Sequence, residues 1–198
     1  MSTVIETTAE VGGGDSQYLS EPGTYHFAVS GVYEGQMSNG TPIDGFSVQF
    51  SVLDGTVKDQ QDKQVTLTFF APDTSKTEKS QEWSRKKQTA FCIAAGLIEI
   101  KDLGGKVSIE LAQADGQQVV ATVSRQDEDS KFLQLHYANI YHIDDPRATK
   151  FPKNKEALEL IPSELRKKAE YFESILSSSS KPNGNGESKM SDDDLADL

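Results

Sequence analysis

Apolar and polar residues alternate with a period of two in several short segments, and this alternation constrains the fold more than any other feature of the chain. Phe46, Val48 and Phe50, for example, alternate with serine and glutamine. Such alternation places successive side chains on opposite faces and predicts a half-buried β-strand. Further strands are predicted on the same basis at 24–36, 64–71, 107–111, 119–123 and 131–143. We therefore expect a sheet of six strands.

A helix is predicted between the third and the fourth of these strands. From Lys79 to Leu97 the apolar residues follow a helical period and share one face. They are Trp83, Ala90, Phe91, Ala94, Ala95 and Ile98. Cys92, the single cysteine of the chain, lies in this apolar stretch and is predicted to be a buried core residue.

The predicted order of strands and helix indicates a mainly β fold with helices. An antiparallel barrel of the OB-fold type is the expected architecture, although such a barrel has fewer strands than predicted here. A β-sandwich is the alternative. The predicted regions are a flexible arm at 1–20, an OB-like β-barrel domain at 21–145, a helical extension at 146–176 and a disordered acidic tail at 177–198.

The helical extension contains a stripe of apolar residues at spacings of three and four. Asn154 is placed to cap a first helix, and Pro162 is placed to begin a second helix at its first turn. The stripe comprises Leu158, Ile161, Leu165, Ala169, Phe172 and Leu176. We expect it to pack back on the sheet, with pairing to another subunit or partner as the alternative. Self-association of the chain is therefore left open.

Signatures of catalysis and of metal binding are missing from the sequence. His26, His136 and His142 have no Cys, Asp or Glu at a metal-ligand spacing and are interpreted as surface residues. The glycines at 12–14 are followed by neither a phosphate-loop signature nor a helix, and no serine lies in a G-x-S-x-G setting. The chain is therefore predicted not to be an enzyme, with no catalytic residue, no metal and no cofactor.

The sequence also lacks the usual signals for export and for membrane insertion. Its first residues contain neither the basic region nor the apolar run of a signal peptide. No window approaches the roughly 18 apolar residues of a transmembrane helix. We therefore expect a cytoplasmic protein without a membrane partner.

Positive charge is concentrated in the predicted helix, although the whole chain has a formal net charge of −11. Lys79, Arg85, Lys86 and Lys87 surround Trp83 in the sequence. Because clustered Lys and Arg side chains neutralise phosphates, these four residues are candidate contacts to a nucleic-acid backbone. The alternative interpretation is a solvated helix face.

Three aromatic side chains are candidates for stacking on nucleic-acid bases. Phe70 and Phe132 lie on the polar faces of their predicted strands, and Trp83 is flanked by charged residues. Stacking of a base on an exposed ring contributes roughly 1–3 kcal/mol. For each of the three rings, burial in the core is the alternative.

The C-terminal tail ends in a cluster of aspartates with apolar residues. The candidate partner-binding residues are Asp192, Asp193, Asp194, Leu195, Asp197 and Leu198. A Gly/Ser/Asn spacer followed by such a cluster resembles the C-terminal tip of single-stranded DNA-binding proteins, which usually ends in Pro-Phe instead of Asp-Leu. The resemblance implies an OB-fold core and a tail that competes with DNA for the groove and docks onto replication and repair proteins.

Two shorter motifs resemble phage-type single-stranded DNA-binding proteins of similar length. Pro22-Gly23-Thr24-Tyr25 matches the Pro-Gly-x-Tyr element that begins the core of those proteins. Their mid-chain helix carries lysines and ends near Ala-x-Gly, as this one does at Ala94-Ala95-Gly96.

The predicted function is binding of single-stranded DNA in replication, recombination or repair. The expected partners are single-stranded DNA and, through the tail, replication or repair proteins. The alternative is a structural or scaffolding β-sandwich, such as a virion component, that binds no nucleic acid and assembles through the 154–176 helices.

Overall fold

A single antiparallel sheet organises the part of the chain that the computed structural model describes, residues 17–36, 41–102, 105, 107–127, 130 and 133–179. Among these residues, five strands pair in the order β3-β2-β1-β4-β5. They are β1 (Gly23–Gln36), β2 (Pro42–Gly55), β3 (Gln64–Phe70), β4 (Gln118–Arg125) and β5 (Leu133–His142). The α-helices are α1 (Glu78–Ala94), α2 (Lys155–Glu159) and α3 (Ala169–Ser179). The prediction of a mainly β fold with helices is confirmed.

The strand predicted at 107–111 is wrong. Residues 107–110 have no regular structure, and Leu111–Ala114 form a short 3-10 helix that buries Ala114 completely. Ile109 and Leu111 pack against the main core, so the alternation here reflects burial against the core and not strand pairing. Asp115-Gly116 in the sequence predicts a hairpin turn between the strands at 107–111 and 119–123. The N–H of Gly116 instead donates to the carbonyl of Val29 on β1 at 2.9 Å.

The main core lies between α1 and the inner face of the sheet. Phe91 of α1 contacts three aromatic rings of the strands, with centroid distances of 5.2 Å to Phe69, 6.1 Å to Phe46 and 6.2 Å to Phe50. Cys92 is buried as predicted, and this burial raises the pKa of its thiol to about 11. The apolar face of α1 is thus used for packing, and its other side faces solvent.

A bulge in β1 changes which residues face the core. Tyr25, Phe27 and Val29 are buried, as their alternation predicts. Between Val29 and Gly31 the register with β2 shifts because β1 contains one extra residue. The alternation in the sequence predicts Tyr33 on the same face as Tyr25, Phe27 and Val29. The shift instead turns Tyr33 outward, and its side chain is 54% exposed.

A larger irregularity has the same effect in β5. Ala121 pairs with Ile140 and Val123 pairs with Leu135, so two steps along β4 correspond to five steps along β5. Leu135 and Ile140 both reach the main core. The alternation over 131–143 predicts Tyr141 on the same face as Leu135, but Tyr141 packs on the opposite side of the sheet.

The C-terminal residues cover one half of the outer face, which is the face of the sheet turned away from the main core. Val120 of β4, Ile143 and Ala148 form a second, smaller core there. Leu158 and Ile161 pack against it, so this part of the apolar stripe packs back on the sheet. We call residues 144–161 the covering segment.

The second helix does not begin at Pro162 as predicted. Only a 3-10 turn follows this residue, and α3 begins at Ala169. The carboxylate of Asp144 accepts hydrogen bonds from Arg166 Nε and from the backbone N–H of Lys167, each at 2.9 Å. These bonds hold residues 166–167 at the end of β5, so α3 begins only after them.

Helix α3 packs beside the segment that follows α1, which includes the 3-10 turn Ile100–Asp102. Its Tyr171 and Phe172 are buried. The Tyr171 hydroxyl donates to the carbonyl of Ile98 at 2.7 Å. The predicted second helix is therefore shorter than expected, yet its aromatic residues are anchored to the domain.

The predicted arm at 1–20 is described only from residue 17. Leu19 is buried, and its N–H donates to the carbonyl of Gln64 at 2.8 Å. The N–H of Gln64 in turn donates to the carbonyl of Gln17 at 2.7 Å. The chain is therefore attached to the edge of β3 before β1 begins, and the remainder of the arm lies outside the described residues.

Candidate nucleic-acid interface

Helix α1 carries the four cations predicted to contact a nucleic-acid backbone. The helix begins at a capping threonine, since Thr77 Oγ1 accepts a hydrogen bond from the N–H of Ser80 at 3.3 Å. Lys79, Arg85 and Lys86 are exposed along it. These three side chains are therefore accessible to a ligand in solution.

Two of the exposed cations, Arg85 and Lys86, have weak intrahelical partners. Lys86 Nζ lies 2.9 Å from Glu82 Oε1, and both side chains are more than half exposed. An exposed pair of this type contributes about 0.3–0.5 kcal/mol, so a phosphate can displace Glu82 at little cost. Arg85 Nη2 donates to Gln81 Oε1 at 3.3 Å, which leaves the guanidinium charge without a carboxylate in this contact.

Trp83 and Lys87 form a separate cluster where α1 crosses β5. The Trp83 ring meets Tyr137 edge to face at 5.3 Å between centroids. The Lys87 ammonium lies 5.1 Å from the Trp83 centroid and 5.7 Å from that of Tyr137. Burial lowers the pKa of Lys87. The structure thus joins Trp83 and Lys87 through a cation–π contact, with Tyr137 as a third member.

The helical period places the predicted cations at different angles from Trp83 around the axis of α1. Arg85 follows Trp83 by two positions and therefore points about 200° away around the helix axis. Lys86 lies about 60° from Trp83 on the same basis, so it is closer to the cluster. His136 joins the cluster from β5, with its ring centroid 4.6 Å from that of Tyr137. Burial and, second, the charge of Lys87 lower the pKa of His136.

A second candidate surface lies on the half of the outer face that the covering segment leaves open. Seven partly or fully exposed side chains from β1, β2 and β3 form it, and none is charged. They are Tyr33, Gln49, Ser51, Gln64, Thr66, Thr68 and Phe70. We call this surface the bare face.

Hydrogen bonds connect the bare face across its strands. Tyr33 Oη donates to Gln49 Oε1 at 3.2 Å, and Gln49 Nε2 donates to Gln64 Oε1 at 2.6 Å. Thr68 Oγ1 shares a hydrogen bond of 3.0 Å with Ser47 Oγ. The surface therefore consists of ordered hydroxyl and amide groups, interrupted by two rings.

Phe70 is the member of the bare face that the sequence identified as a stacking candidate. It is 55% exposed. Its carbonyl accepts a hydrogen bond from Gln88 Nε2 of α1 at 3.0 Å. This bond fixes the end of the bare face beside the cationic helix. Phe132 and the tail residues Asp192, Asp193, Asp194, Leu195, Asp197 and Leu198 lie outside the described residues.

The covered half of the outer face contains a histidine that sequence reasoning misplaced. His26 is fully buried, where a surface residue was predicted. Its Nδ1 accepts from the N–H of Asn154 at 3.0 Å, so Nε2 carries the proton and donates to Gln118 Oε1 at 2.9 Å. Gln118 Nε2 then donates to the carbonyl of Ala157 at 2.8 Å. Burial lowers the pKa of His26 to about 4.

His142 is also buried and not on the surface as predicted. Its Nδ1 accepts from the N–H of Asp144 at 3.1 Å, and its ring packs on Phe172 at 5.6 Å between centroids. Burial lowers the pKa of His142 to about 4, with the nearby Asp144 opposing that shift. Both buried histidines thus hold C-terminal residues in place. Only His136 is exposed, as predicted.

The described ranges contain no group of three or more His, Cys, Asp or Glu side chains arranged to hold a metal ion. In the same part of the chain, no helix is long and apolar enough to cross a membrane.

No protein-family model matches the chain, and no curated protein matches it either.

Proposed function

We propose that this protein binds single-stranded DNA in replication, recombination or repair. The observation that carries the proposal is the exposed ring of Phe70 on an uncharged, hydrogen-bonding sheet face, at the strand end where Gln88 of the cationic helix α1 binds the Phe70 carbonyl. A single strand offers flat bases on one side and phosphates on the other, and this pair of surfaces complements both. Double-stranded DNA would keep its bases away from the ring.

The strand order supports an OB-type barrel as part of the proposal. Helix α1 follows β3, and β1 pairs with both β2 and β4. In an OB fold, the face of strands 2 and 3 and the loops beside it bind oligonucleotides. The bare face lies on these two strands and on β1. Closure of the barrel through β3 and β5 belongs to the proposal.

The cations of α1 divide into two roles in this proposal. Lys79, Lys86 and Arg85 contact phosphates directly, because their charges are exposed. Lys87 adds a phosphate contact from its place over Trp83, where a nearby anion would offset the effect of burial on its pKa. Trp83 fixes Lys87 and offers the rest of its half-buried ring for stacking.

The acidic tail regulates access to this surface and recruits replication or repair proteins. Its aspartates compete with phosphates for the cations of α1, as the resemblance to single-stranded DNA-binding proteins implies. We expect the full chain with Asp192→Asn, Asp193→Asn, Asp194→Asn and Asp197→Asn to bind DNA more tightly at low salt. The advantage should shrink as salt screens the charges. Equal affinities at low salt would contradict this role.

The proposal is tested by fluorescence anisotropy of a labelled dT oligonucleotide titrated with the full chain at several salt concentrations. Lys79→Glu with Lys86→Glu should weaken binding at least about tenfold and reduce the salt slope by about 2. The matched control, Lys150→Glu with Lys155→Glu, makes the same charge change around the covering segment.

Two outcomes count against the proposal in different ways. Equal weakening by the two double variants would show that only net charge matters, and the assignment to α1 would be wrong. Absence of binding by the unmodified chain at low salt would overturn DNA binding itself. The scaffolding alternative gains no support from the stripe at 154–176, because Leu158, Ile161 and Phe172 are used inside the fold.

A further inference from the structure

Tyr33 lies over a glycine in a way that fixes its ring against the sheet. A Cβ atom added to Gly31 would stand 2.6 Å from Tyr33 Cζ and 2.9 Å from Cε2. Contacts this short do not occur, so only glycine at position 31 lets the ring occupy this place. The ring remains 54% exposed although its lower side rests on the β1 backbone.

The hydroxyl of Tyr33 is held as firmly as its ring. It donates to Gln49 Oε1, and the amide of Gln49 donates in turn to Gln64 Oε1. This order of bonds uses both amide oxygens as acceptors. These two bonds do not use the second N–H of Gln49 or the amide N–H groups of Gln64. Those groups are therefore the donors that the two bonds leave for a ligand.

The bare face is suited to bases and not to phosphates. Its seven side chains carry no charge, so it gains little from a phosphate, which binds preferentially to Lys, Arg or helix N-termini. Exposed rings bind the π-faces of unpaired bases, and amide N–H groups match the carbonyl oxygens and ring nitrogens of their edges. Tyr33 on β1 and Phe70 on β3 lie on either side of β2, about 10 Å apart across the strands.

We propose that Tyr33 is a base-stacking residue of this protein and that Gly31 is its positioning residue. The bare face then recognises unpaired bases, and its contribution to the affinity does not depend on the salt concentration. This inference rests on the proposed binding of single-stranded DNA and assigns the base side of that interface. The phosphate side belongs to α1. Base recognition and phosphate binding are therefore carried by separate residues.

Gly31→Ala is the sharpest test, because the clash falls on the movable end of the Tyr33 side chain and not on backbone. The fold should persist while the ring swings away. Affinity for a dT oligonucleotide should fall roughly 5- to 150-fold, the range expected for one lost stacking contact. Tyr33→Ala should cause the same loss, and Tyr33→Phe, which keeps the ring, should cause a smaller one.

The double variant Gly31→Ala with Tyr33→Ala distinguishes positioning from a general structural effect. If Gly31 acts through Tyr33, the double variant should bind no more weakly than Tyr33→Ala alone. Additive losses would overturn the positioning role. Circular dichroism and urea unfolding of each variant check that the fold is retained, and Leu160→Ala removes an exposed apolar side chain outside the bare face as a control.

Salt dependence and an abasic oligonucleotide separate this inference from the proposed function. The Tyr33→Ala variant should keep the salt slope of the unmodified chain, and it should bind an abasic strand as well as the unmodified chain does. Binding of dT by the unmodified chain, with no loss on Tyr33→Ala, would overturn the stacking role while leaving DNA binding intact. No binding of either oligonucleotide by the unmodified chain would overturn the proposed function itself.

Discussion

One half of the outer sheet face is buried and the other half is exposed to solvent, although the same strand, β1, runs through both. On one half, the covering segment buries His26 and forms a small apolar core with Val120. On the other half, Tyr33 and Phe70 remain more than half exposed. The hydrogen bonds of the covered half join residues far apart in the chain, such as His26 and Asn154, whereas those of the bare face join neighbouring strands.

This difference separates stability from recognition. A surface that the protein needs for its own packing is closed by apolar side chains and satisfied by buried hydrogen bonds. A surface that is left open, uncharged and aromatic contributes little to folding, and its side chains are available to a ligand. Substitutions on the two halves should therefore act on different observables.

The largest difference in the free energy of unfolding is expected between Ile143→Ala and Phe70→Ala. Ile143 is buried in the small core, so its truncation should lower the free energy of unfolding by about 2–5 kcal/mol. Phe70→Ala should change it by about 0.5 kcal/mol or less, because the ring is exposed. Urea unfolding at neutral pH measures both. Similar losses for the two variants would remove the distinction between the halves.

Acidification should weaken the sites of the two buried histidines, His26 in the covered half and His142 beside α3, and should spare the bare face, which contains no histidine. His26 and His142 have folded-state pKa values of about 4, below the 6.5 expected in the unfolded chain. The unfolded state therefore binds more protons between these pH values. The contribution of the two histidines to the free energy of unfolding is complete above pH 6.5 and is lost as the pH falls to about 4. Each loss is on the order of 2–3 kcal/mol.

Unfolding measured from pH 7 to pH 4 checks this prediction. The His26→Gln variant should show a flatter dependence of stability on pH than the unmodified chain. His136→Gln serves as the control, since His136 is exposed and its loss should change the slope less. A His26→Gln chain with an unchanged slope would show that His26 does not titrate with folding.

A smaller effect is expected at the start of α2, where the covering segment meets the sheet. Asn154 Oδ1 accepts from the N–H of Ala157 at 2.9 Å, and Nδ2 donates to the carbonyl of Leu53 at 3.2 Å. Asn154→Ala removes both bonds and should cost about 1–2 kcal/mol. Asn154→Ser, which keeps a capping oxygen, should recover part of this loss. Equal stability of the two variants in urea would rule out the capping contribution.

The sequence predicts structure well where the strands are regular. Phe46, Val48 and Phe50 alternate on a strand that keeps its register with β3, and all three face the main core, in which Val48 and Phe50 are buried and Phe46 is partly buried. Phe70 was assigned to the polar face of its strand for the same reason, and its ring is exposed. Tyr33 and Tyr141 were assigned to the wrong faces because register shifts in β1 and β5 insert residues that do not interrupt the apolar pattern.

The histidines show a second reason for incorrect predictions. Periodicity reports the neighbours of a residue along its own strand, and His26 lies on the polar side of that pattern. Its burial depends on Asn154, which lies 128 residues later in the chain. Likewise, the contact of Trp83 with Tyr137 follows from the crossing of α1 over β5, which no local pattern contains. The cationic helix itself was predictable because its residues are contiguous.

The central place of β1 has a consequence for synthesis of the protein. One edge of β1 pairs with β2 as soon as that strand is made, but the other edge waits for β4. Thr24 and Thr122, whose hydroxyl groups meet at 3.0 Å, are separated by 98 residues. At a translation rate of about 5–20 residues per second, the nascent chain keeps that edge unpaired for roughly 5–20 seconds. During this interval an open strand edge can pair with another chain, so early chaperone contact should favour soluble protein.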